Sequence, residues 1–149
     1  MSAFKNHKFS LVRAVRALGP AMALKTGAAA PGFADLDAHA QLSDLPETDL
    51  IGVLGYACHY SGKLITVHIS GFVSSVNDPG LVRHTEMMDV MIGALRPETR
   101  VQVYDAEAAV LTPVSWLFVQ GDGMVDPVGR ENTRSIQVLT IRLISGQTL

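Results

Sequence analysis

A single cysteine, Cys58, in 149 residues leaves no partner for an internal disulfide and too few thiolates for a cysteine-based zinc cluster. A reducing compartment suits such a chain. Charge is also sparse: 17% of residues carry one, against roughly 25% in an average soluble domain. The 12 basic and 14 acidic residues sum to −2, so the overall basic footprint of a nucleic-acid binder is missing. Long apolar runs are missing too. The longest, Leu50 to Ala57 and Val114 to Val119, fall well short of the ~20 residues that span a bilayer.

What the chain does have is apolar content, 48% of its residues, which argues against disorder and supplies a core without a metal or disulfide staple. Weak charge combined with this much apolar surface points to a partner. The first acidic residue is Asp35, and Lys5, Lys8, Arg13, Arg16 and Lys25 precede it. Arg13 and Arg16 interrupt the apolar stretch that a secretory signal requires. Two readings stay open for this start, a mitochondrial presequence or a first helix whose basic face meets solvent or a partner.

Between Phe9 and Leu24, Leu11, Val12, Val15, Leu18 and Met22 recur at helical spacing and predict a helix that bends or ends near Gly19-Pro20. Thr26 to Asp49 shows no sustained period and predicts a long connection, with one helical turn near Leu36 to Leu42. Leu50 to Tyr60 and Lys63 to Val73 predict a hairpin closed at Ser61-Gly62. In its second strand Ile65, Val67 and Ile69 share one face, while Leu64, Thr66, His68 and Ser70 share the other. Asn77-Asp78-Pro79 predicts a capped helix with apolar positions Leu81, Met88, Ile92 and Leu95, ended by Arg96-Pro97. Strands follow at Arg100 to Tyr104, Pro113 to Gln120 and Thr133 to Ile144, with an irregular stretch from Gly121 to Asn132.

This order predicts one α+β domain over residues 1–149. Its expected architecture is a two-layer sandwich, a mainly antiparallel sheet of about four to five strands with two helices packed on one face. A basic N-terminal helix occupies 1–26, an irregular linker 27–49, and the hairpin, helix and strand core 50–146.

Candidate reactive groups do not converge. Cys58 and His59 are neighbours in a strand and point to opposite faces. If Tyr60 pairs with Lys63, His59 faces Leu64 and stands about 13 Å from His68, too far to share a metal ion, and His84 lies on the helix. Asp105 with Glu107, or Asp122 with Asp126, lacks calcium-loop spacing, and carboxylates near turns commonly cap or face solvent. Gly121-Asp122-Gly123 lacks the lysine and hydroxyl of a phosphate loop, and there is no Gly-x-Ser-x-Gly elbow. The expectation is a non-enzyme, with no catalytic, metal-binding or cofactor-binding residue. A deep polar pocket holding His59, His68 or Cys58 would speak for an enzyme instead.

The stretch from Asp49 to Ile144 carries the pair 50–56 and 64–69, the Asn77-Asp78-Pro79 lead into a helix ending at Leu95, and the closing run 135–143. In that order of elements it resembles the tail terminator and minor tail proteins of long-tailed, lambda-like and Mu-like bacteriophages. The basic start and alanine-rich linker are longer than that family's pattern. The resemblance implies a virion protein, made in the host cytoplasm, that forms a ring, typically a hexamer, on the head-proximal end of the tail tube and docks to the head connector. Expected interface residues are Gly121, Asp122, Gly123, Met124 and Val125 in the irregular stretch, and Leu139, Ile141 and Leu143 in the last strand. The irregular stretch either orders on a partner or is a plain surface loop. The basic helix either faces DNA in the ring lumen or is solvated, and no membrane contact is expected. The alternative function is a small bacterial homo-oligomeric binding or regulatory domain without catalysis.

Overall fold

The computed structural model describes residues 3–33, 48–58, 63–74, 82–121, 123–131 and 134–147. The N-terminal periodicity yields two helices, α1 (Ala3–Arg16) and α2 (Gly19–Thr26), with Pro20 in the first turn of α2, where its missing N–H costs nothing. Gly27 closes α2 in the left-handed region, φ +70°, donating to the Ala23 carbonyl at 3.0 Å. Leu11, Val15 and Met22 face inward. Arg13 and Arg16 stay outside, their guanidinium groups stacked 4.3 Å from the Tyr104 ring centroid and 4.6 Å from that of Phe33.

The linker contributes a two-residue strand, β1 (Gly32–Phe33), parallel to the start of β2 (Leu50–Cys58). The helical turn expected at 36–42 lies outside the described residues. β2 and β3 (Leu64–Ser74) form the expected antiparallel hairpin, and Cys58 faces Ile65 as a Tyr60 to Lys63 closing pair requires. The turn at 61–62 is not among the described residues. A register shift between Val53 and Gly55 bends β2.

α3 (Val82–Ala94) ends before Arg96-Pro97, as expected; the cap at Asp78-Pro79 and the position of Leu81 lie outside the described residues. Its inward face differs from expectation. His84, Met87, Met88, Met91 and the following Leu95 are buried, whereas Ile92 is 43% exposed. Positions 84, 87, 88, 91 and 95 make one stripe at helical spacing, and unbranched methionines fill it readily.

Four strands complete the chain: β4 (Arg100–Asp105), β5 (Val110–Val119), β6 (Met124–Glu131) and β7 (Arg134–Gln147). β6 corrects the sequence reading, because most of the stretch expected to be irregular is a strand paired with the first half of β7. Pro127 and Gly129 hide its alternation, and the register shifts between them. With β1 and β6 the sheet has seven strands, not four to five, in the order β1-β2-β3-β7-β5-β4 with β6 beside β7. One edge of β7 pairs with β3; its other edge takes β6 from Arg134 to Thr140 and β5 from Leu143 to Gln147. β5 and β6 thus act as one long strand interrupted at 120–123.

α1 packs against both β2 and β4, α2 against α3, and α3 against β3 and β7. Leu11, Val15, Met22, Met87 and Met91 join Ile51, Ile65, Val67, Ile69, Leu117, Leu139, Ile141 and Leu143 in one core. Each such aliphatic or thioether side chain contributes about 1.5–3 kcal/mol by leaving water. Arg83 at the start of α3 donates to the Asp49 carboxylate and ties the helix to the entry of β2.

Candidate functional site

Strand alternation sorts the expected interface residues into two groups. Leu139, Ile141 and Leu143 pair with Ile69, Val67 and Ile65 and lie at 2% exposure or less, within the subunit's own core. They are not an interface; the opposite parity of β7, with Thr140, Arg142 and Ile144, faces outward. Met124 is 59% exposed and Val125 37%, so these two do reach the surface. Gly121 is exposed with φ +70°, a conformation that favours glycine, and it lies within the interruption between β5 and β6. Gly123 is exposed too, but a β-carbon there would stand 2.9 Å from Leu139 Cδ1 and 3.4 Å from Ile141 Cγ2. Asp122 lies outside the described residues.

The register lays out the outward face in rows across the sheet. Leu64, Ile144, Phe118 and Arg100 form one row over β3, β7, β5 and β4. Arg100 stacks on Phe118 at 5.6 Å, and the Phe118 ring lies over Gly146, where a β-carbon would come within 3.0 Å of it. On one side lie Gly146, Trp116 and Gln102. On the other, Thr66 faces Arg142, whose carbonyl accepts the Gln120 N–H at 2.8 Å. Beyond them His68 meets Thr140, Nδ1 to Oγ1 at 2.9 Å, and Met124 sits opposite Thr140. Two shallow hollows open here, about 550 Å³ beside Glu98, Arg100, Phe118 and Ile144, and about 460 Å³ beside Met124, Thr140 and Arg142; Gln120 and Gly121 border both. Phe118, Ile144, Arg100 and Arg142 do not stand out in the sequence as surface candidates, although strand parity marks them once the inward face is assigned.

A second polar cluster lies between α1 and the outer edge of β4. Ser10 Oγ donates to the Asn6 carbonyl at 2.5 Å and accepts the Tyr104 N–H at 2.7 Å. Asn6 Oδ1 accepts the Ala106 N–H at 3.0 Å. Side chains of α1 thus do for β4 what a neighbouring strand would do, satisfying main-chain donors on an edge. His7 is buried alongside, its Nδ1 without a hydrogen-bond partner among the described residues, and burial lowers its pKa from the usual imidazole range.

The candidate reactive groups do not meet among the described residues. His68 is exposed on the outward face, and His84 is fully buried on the inward side, beneath Gly71. Asp105 accepts the N–H groups of Glu107 and Ala108 at 3.0 and 3.2 Å, the capping role expected for a turn carboxylate. Cys58 is described only in its backbone, and His59 lies outside the described residues. No group of three His, Cys, Asp or Glu that could hold a metal ion occurs among the described residues. No described helix is long and apolar enough to cross a membrane.

No protein family matches the chain, and no curated protein matches it.

Proposed function

We propose that this chain is a non-catalytic structural subunit that acts by assembling with copies of itself and with neighbouring proteins, as a ring capping a phage tail tube at the head connector. In this reading the helices form one layer and the sheet the other. The observation that carries it is the apolar surface along β5 and β6: Val110, Leu111, Val114, Met124 and Val125 are all exposed in the single subunit. Scattered exposed aliphatics are ordinary, but these gather in two clusters, one at the start of β5 and one at the start of β6, and association would cover both. A closed ring hides such surface without leaving an open end for further growth. The order of elements from Asp49 to Ile144 supports the tail terminator version of this reading. Lys5, Lys8, Arg13, Arg16 and Lys25 are the residues that would face DNA in the lumen, with binding that weakens as salt rises.

The test is native mass measurement and negative-stain imaging of the protein alone and with purified tail-tube protein. Closed rings of about six subunits are expected, and Met124→Asp should prevent them while leaving the fold intact. A chain that stays monomeric in both conditions overturns the proposal, and a discrete dimer indicates the small homo-oligomeric binding domain instead.

A further inference from the structure

We infer that the outward sheet face around Phe118 and Ile144 docks an extended, acidic segment of a partner protein. Leu64, Ile144 and Phe118 form an apolar strip across three strands, with Ile144 38% exposed. Arg100 ends this strip and Arg142 stands in the next row. Both arginines are exposed, and neither makes an ion pair among the described residues. The Arg100 guanidinium lies on the Phe118 ring, which holds its planar fork ready for a carboxylate. Among the described residues Glu98 is the one carboxylate bordering the two hollows, against Arg100 and Arg142, on a chain whose total charge is −2.

Spacing defines the guest. The two arginines are two strands and one row apart, about 12 Å between backbones. An extended peptide rises roughly 3.3 Å per residue and alternates its side chains, so carboxylates four positions apart share a face and would meet both cations while the side chain midway between them lies on the apolar strip. An acidic protein segment fits better than nucleic acid: two cations are too few for a phosphate backbone, Glu98 would repel it, and the strip between them is apolar. This inference concerns one subunit and does not require the ring.

The experiment titrates acetyl-Glu-Ser-Val-Ser-Glu-amide and its Gln-for-Glu analogue into the full chain, by calorimetry and by the emission of Trp116, the only tryptophan, which sits one row from Phe118. The acidic peptide should bind about tenfold more tightly than the neutral one, the scale of one charge-assisted hydrogen bond. Arg100→Glu and Arg142→Glu, at exposed positions, should each abolish that preference with melting temperature unchanged. A peptide with Lys in place of Glu should then bind the charge-reversed variants better than it binds the original chain. Equal binding of the acidic and neutral peptides, no binding of either at millimolar concentration, an unchanged preference in the variants, or tighter binding of a single-stranded oligonucleotide at the same face would each overturn the inference.

Discussion

The imidazole of His84 lies directly beneath Gly71 of β3, so close that a β-carbon on the glycine would stand 3.3 Å from Nε2 and 3.7 Å from the Met88 sulfur. The glycine makes room for a ring that α3 drives into the sheet. Gly71→Ala should therefore cost about 1–3 kcal/mol through overpacking. Gly93, within α3, has nothing within 4 Å of an added β-carbon. Gly93→Ala should stabilise the fold by about 0.5–1 kcal/mol. Urea unfolding of the two variants measures the contrast, and equal effects would contradict the packing described.

Ile141 belongs to the core, which separates folding from assembly. Ile141→Ala should cost about 2–5 kcal/mol in a single subunit, and Ile141→Asp should leave no cooperative unfolding transition, because an unpaired carboxylate cannot be buried there. Met124→Asp should barely move the melting temperature, since that side chain is 59% exposed. Thermal unfolding at a concentration too low for assembly reads the difference.

Ser10 is the acceptor for the Tyr104 N–H on the edge of β4. Ser10→Ala removes it and leaves a part-buried donor unpaired, at a cost of about 1–3 kcal/mol. Hydrogen exchange at the Tyr104 amide should quicken more than at residues of β3. Uniform acceleration along the sheet would instead mean global destabilisation.

Burial depresses the pKa of His7, so between its folded and unfolded values the unfolded chain binds more protons. Stability from this group is complete above about pH 6.5 and declines as pH falls toward the depressed folded value, with a limiting slope of about 1.4 kcal/mol per pH unit. His7→Gln, neutral throughout, should flatten the difference between denaturant midpoints at pH 7.5 and pH 5.5. An unchanged pH dependence would show that the imidazole titrates as if in solvent.

Strict alternation made β3 legible, since Ile65, Val67 and Ile69 could only share a face, and the observed pairing of Cys58 with Ile65 is the register expected from Ser61-Gly62. β6 was opaque because Pro127 and Gly129 read as loop residues, and only pairing with β7, a tertiary effect, makes Met124–Glu131 a strand. In α3 the eye falls on Ile92, yet the methionines face inward and the isoleucine does not. Asn6 and Ser10 repeat at helical spacing beside Leu11, a signal of a polar docking stripe, but nothing local reveals that β4 lies nearly a hundred residues away. On β7 alternation separated the two faces, but both carry apolar residues and local sequence cannot tell which one the helices cover.

The middle of the sheet is synthesised after its flanks. β2 with β3 and β4 with β5 can each close as neighbours in sequence, yet they share no sheet until Arg134–Gln147 has emerged and slotted between them. At ribosomal rates of about 5–20 residues per second, the nascent α1 waits roughly 5–20 seconds for the strand that Ser10 will serve. The β2–β3 hairpin, complete at Ser74, likewise keeps one margin bare for roughly 3–12 seconds until Arg134 begins the strand that covers it.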